Sequence, residues 1–141
     1  METNQTVKPQ FTHPRRTTPR AEYRRQQVER VNLSATLAEK FPRLKLLVVR
    51  LEYFDSNRLA RNGQIKYKAN LEHAKSLFCV NCPNGECVGG DFDLTDALAQ
   101  AVKRRDKAVE GELRCQGQRH KAKAEKVPCQ SLLRYRLTLG Y

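Results

Sequence analysis

The stretch CVNCPNGECVGGDFDLTDALAQAVKRR, residues 79–105, decides the architecture. It gathers three of the chain's five cysteines in a short loop, breaks at Gly89-Gly90, and then becomes helix-forming. Asp93 reads as an N-cap, with Asp96 in the place of a capping-box acid and Phe92 placed to staple onto Ala97. Leu94, Ala97, Leu98, Ala101 and Val102 follow the i, i+3, i+4, i+7, i+8 spacing of an amphipathic helix. The last turn, Lys103, Arg104 and Arg105, suits the negative end of the helix dipole.

Strand-like sequence flanks this segment on both sides. In residues 44–54, Leu47, Val49, Leu51 and Tyr53 fall on one face, and residues 55–63 are polar and turn-rich. Ile65, Tyr67, Ala69 and Leu71 then alternate with Lys66, Lys68, Asn70 and Glu72. Downstream, Val109, Gly111 and Leu113 share a face, as do Leu133, Tyr135, Leu137, Leu139 and Tyr141. Before the first strand, Ser34 is placed to cap a short helix that Pro42 stops. The expected fold is therefore α+β, a four-stranded, mainly antiparallel sheet of two hairpins with one main helix on its apolar face. That domain spans residues 32–141. Residues 1–31 form a basic arm, expected to be disordered, in which residues 21–31 can become helical.

The cysteines lie at strand ends, where a metal ion can staple a small body together. Cys82 and Cys87 enclose Pro83, Asn84 and Gly85, turn formers that let a short loop wrap a metal. A strand running on from Ile65 would point Leu71, His73, Leu77 and Cys79 into the core. The favoured ligands are thus Cys82, Cys87, Cys115 and Cys129 around Zn2+. The competing set uses Cys79 in place of Cys87, because Cys79 and Cys82 have zinc-knuckle spacing. Four thiolates leave no open position, so the site is read as structural. His73 reads as a core histidine, and His120 as part of a basic loop.

The strings CPNGECVGGDFDL and LRCQG, with the later PCQ, resemble a group of small uncharacterised bacterial four-cysteine proteins with a zinc domain. The resemblance covers roughly residues 34–141. It implies Cys82 as the first ligand and carries no activity.

Signals for catalysis are missing from the sequence. Gly89-Gly90 opens a helix but is followed by Asp91 and Asp93, which would repel a phosphate. No serine sits in a nucleophile elbow, and His73 lacks the following glutamate of a zinc deaminase. The chain is therefore not expected to be an enzyme.

Charge points elsewhere. Lys and Arg number 27 against 15 Asp and Glu, a net charge of +12. Such an excess favours a polyanionic partner. Arg15, Arg16, Arg20, Arg24 and Arg25 in the arm, Lys103, Arg104 and Arg105 after the helix, and Arg119, Lys121 and Lys123 in the loop are the candidate phosphate contacts. Tyr53, Tyr67 and Tyr135 share faces with aliphatics, so the sheet is not read as a base-stacking platform. The expected role is non-enzymatic RNA binding, with ribosomal RNA and ribosomal proteins as candidate partners. The alternatives are an adaptor that uses the mixed sheet face for proteins, or a zinc-dependent DNA-binding regulator. No stretch is apolar enough to span a bilayer, and residues 1–30 lack the apolar core of a secretory signal. A cytoplasmic location without membrane contact is the expectation.

Overall fold

A computed structural model describes residues 18–55, 57, 60–120 and 126–141. Its elements are α1 (Pro19–Leu33), α2 (Leu37–Lys40), β1 (Leu46–Phe54), β2 (Ala60–Lys68), β3 (Cys79–Asn81), β4 (Cys87–Val88), β5 (Asp91–Asp93), α3 (Thr95–Arg104), β6 (Ala108–Arg114), β7 (Gln118–His120), β8 (Lys126–Pro128) and β9 (Leu132–Gly140).

The fold is α+β, built on a four-stranded sheet in the order β2-β1-β9-β6. All its pairings are antiparallel. Strict alternation explains the long strands. Leu47, Val49, Leu51 and Tyr53 of β1, with Leu133, Tyr135, Leu137 and Leu139 of β9, are buried on one face. Leu94 and α3's Leu98 and Ala101 are buried in the same core. Gly111 lies opposite Tyr135 in the register, and a Cβ there would meet the Tyr135 ring. The missing side chain is what lets that tyrosine lie flat across β6.

β2 is one edge of this sheet and β6 the other. Gly63, at φ 67°, takes up a register shift against β1 between Glu52 and Tyr53, which marks a β-bulge. Ala69 is buried as the alternation predicts, yet Ile65 and Tyr67, on the same face and opposite buried Leu51 and Val49, are exposed, because β2 is an edge strand.

Three local readings need correction. Ser34 does not start α2; it is the C-cap of α1, and Thr36 caps α2 in a capping box with Glu39. The Thr-x-x-Glu spacing was the better signal. Asp93 is not the N-cap of α3, which is Leu94. The β3–β5 pairing carries on through Asp93, and Phe78 O accepts from Leu94 N, so helical geometry begins later. Asp93 instead accepts from Thr95 N at 2.9 Å. The strand from Ile65 does not run on to Cys79: β2 stops at Lys68, and His73 is exposed in a turn rather than set in the core.

β7 and β8, between β6 and β9, form a separate small sheet with β4, in the order β4-β7-β8, and β3 pairs with β5 alone. These strands are two or three residues long. Within the basic arm, the stretch that can become helical is helical: α1 covers Pro19–Leu33 and so runs past residue 31. It packs on β4.

Candidate metal centre

Each cysteine of the site sits at a point where a strand gives way to a turn. Cys82 follows β3, Cys87 opens β4, Cys115 follows β6, and Cys129 follows β8. Asn84 shapes the first loop: its carbonyl accepts from Cys87 N at 3.1 Å and its side-chain oxygen from Glu86 N at 2.9 Å. Two long-range backbone bonds set the other side, Cys115 N to Ser131 O at 2.8 Å and Cys129 N to Gly117 O at 3.0 Å. The pairing of β4 with β7, Cys87 opposite Arg119, joins the two sides and brings Cys82 to Cys129, 47 residues on in sequence.

There the Sγ atoms of Cys82, Cys87, Cys115 and Cys129 all lie within 4.8 Å of one another, and all four residues are buried. Cys82 and Cys129 are 3.7 Å apart, and Cys87 and Cys115 3.5 Å. A tetrahedron with metal–sulfur bonds of about 2.3 Å has edges of about 3.8 Å. The spacing therefore suits a four-coordinate ion, and the four cysteines are positioned to hold a metal. Cys79 is outside the cluster. It lies in β3 opposite Asp93, where burial pushes its thiol up to about 11.

Two glycines make the close approach possible. A Cβ on Gly90 would overlap the sulfurs of both Cys87 and Cys115. One on Gly117 would fall 2.6 Å from Gly90 N and close against Cys87 Sγ. No side chain fits at either position without moving a sulfur. Gly117 N also donates to Cys115 Sγ at 3.4 Å.

The electrostatics of the four sulfurs favour a cation. A hydrogen bond from Cys115 pulls Cys82 down to about 5, against its own burial, with the Asn84 backbone N–H helping. Burial pushes Cys87 up to about 12. The hydrogen bond to Cys82, and burial after it, raise Cys115. Without a metal the cluster thus sustains one thiolate readily and resists the next, because like charges crowd a desolvated site. A divalent ion removes that repulsion and lets the remaining protons go.

The candidate phosphate contacts are scattered. Arg20 and Arg24 turn inward, and their Nη2 atoms donate to Cys82 O at 3.1 and 3.3 Å. Arg25 is exposed and held by Glu22 and Glu29. Lys103 and Arg104 are exposed at the end of α3, and Arg105 stacks its guanidinium 5.2 Å from the centre of the Tyr141 ring. Arg119 lies in β7 opposite Cys87, with its Nε buried and, among the described residues, without a hydrogen-bond partner. Arg15, Arg16, Lys121 and Lys123 lie outside the described residues, as does the side chain of His120.

On the back of the sheet, Arg134 pairs with Glu112 at 3.1 Å and Arg136 with Glu110 at 2.7 Å. Those arginines are neutralised by the neighbouring strand. Among the described residues, no helix is long and apolar enough to cross a membrane. Alternation and loop chemistry pointed to the cysteine set, but the inward turn of Arg20 and Arg24 has no sequence signal, since nothing local distinguishes them from Arg25. The chain matches no protein-family model, no curated protein and no solved structure.

Proposed function

We propose that the chain is a non-enzymatic RNA-binding protein of the cytoplasm, closed by one structural zinc ion, with ribosomal RNA as its first candidate target. The observation that carries this reading is the burial of all four thiols, each no more than 2% exposed. An ion so enclosed by four protein ligands has no place for substrate or water, which supports a structural role. Thiolate ligands and tetrahedral spacing favour zinc over the harder divalent ions. The net charge of +12 supports the polyanion, and the exposed Lys103 and Arg104 at the end of α3 are available to it, whereas Arg134 and Arg136 are paired with glutamates. Contacts of that kind read phosphates rather than bases.

The test is retention of RNA by the purified full chain as salt is raised. Binding through several phosphates weakens steeply between low and moderate salt. A flat response, with protein retained in place of RNA, would overturn the reading in favour of an adaptor working through the sheet face. Removal of residues 1–30 separates the arm from the body: unchanged RNA affinity would exclude the arm.

A further inference from the structure

α1 has little to hold it by hydrophobic means. Its one buried residue is Gln27, while Val28 is 57% and Leu33 87% exposed. A helix without an apolar stripe depends on polar contacts to stay docked. Those that leave the helix, from Arg20, Arg24 and Gln27, all go to the cysteine end. Arg20 and Arg24, one turn apart, both donate to Cys82 O. Gln27 reaches Asp91 and Tyr23, and Arg30 reaches Gln27.

Two guanidinium groups on one neutral carbonyl repel each other, and among the described residues neither has a carboxylate partner. Four thiolates around a divalent ion carry roughly two surplus negative charges. We infer that α1 is latched to the metal centre: Arg20 and Arg24 offset the charge of the loaded thiolate site, so metal occupancy docks the helix and the helix tightens the metal. The second half follows from the first, since coupling between two binding events is reciprocal. Loss of the ion frees both arginines. The inference rests on the metal half of the proposed function and is independent of RNA.

Arg20→Gln/Arg24→Gln in the full zinc-loaded chain tests it, with hydrogen exchange read by segment and zinc affinity read by chelator competition. Exchange in residues 22–33 should quicken about ten-fold while β1 and β9 keep their protection. Zinc affinity should fall at least about ten-fold, as for other groups that support metal ligands from outside the first coordination shell. Arg20→Lys/Arg24→Lys should recover most of that affinity, and Arg25→Gln, which removes only pairs within α1, should leave zinc affinity unchanged. Wild-type exchange and affinity in the glutamine variant, equal loss of protection in β1 and β9, or no recovery with lysine would each overturn the latch. A wild-type chain that takes up no zinc would sink the metal reading itself, whereas zinc uptake with an unaltered glutamine variant would sink the latch alone.

Discussion

β1 and β9 each run nine residues and bury Leu47, Val49, Leu51, Leu133, Leu137 and Leu139 against α3, whereas the strands of the cysteine end are two or three residues long and bury little besides Phe92 and the thiols. Backbone pairing of such short strands cannot offset the cost of ordering them. One half is held by apolar area, and the other by whatever joins four sulfurs. The halves are not independent, because Cys115 leaves β6 and Cys129 leads into β9. A clamp at the cysteine end therefore also fixes where the sheet's central strand begins.

The largest effect should come from breaking the clamp. Cys82→Ser or Cys115→Ser removes a ligand, and structural zinc contributes on the order of 10 kcal/mol to small domains. That is comparable to the whole stability of a domain. The cooperative unfolding transition followed by circular dichroism should disappear. A sheet that still melts cooperatively in these variants would show that the two halves fold separately.

Next in size is the core. Leu98→Ala or Leu137→Ala opens a cavity between α3 and the sheet and should cost about 2–5 kcal/mol in denaturant unfolding. Both variants should keep their full metal content, since the thiol site is left intact. Gly117→Ala tests the reverse. It adds a methyl group where no room exists beside Cys87 Sγ, so metal affinity should fall while the sheet stays folded.

Titration of metal affinity probes the charge account. Cys87, up at about 12, and Cys115, raised by its bond to Cys82, hold their protons at neutral pH. Both must leave when the ion binds, so apparent affinity should rise by at least about a hundred-fold per pH unit through neutrality. Below about 5 the Cys82 proton must be displaced as well, and the dependence steepens. A flat profile near neutrality would mean that fewer than four thiolates bind. The smallest effect belongs to Cys79→Ser, outside the cluster, for which a change within about 1 kcal/mol and unaltered metal content are expected.

The same division explains what could be read from the sequence. Alternation at Leu47 to Tyr53 and at Leu133 to Leu139, and the helical spacing of Leu94 to Val102, gave the four-stranded sheet and its helix because burial on one face leaves a periodic trace. The cysteine end leaves no such trace. Its strands are too short for a period, and Gly90 and Gly117 are needed for contacts between distant segments. The parity argument that set Cys79 aside assumed a continuous strand from Ile65, which the turn at residues 71–73 removes. Pro83, Asn84 and Gly85 between Cys82 and Cys87 were the sounder guide. The docking of α1 was illegible, since arginines facing a carbonyl and arginines facing water look alike in sequence.

Elemental analysis of the freshly purified, reduced full chain tests the central claim most directly. One zinc ion per chain is predicted, released only when the cysteine end is unfolded or stripped by a strong chelator. A folded chain free of any transition metal would contradict the account.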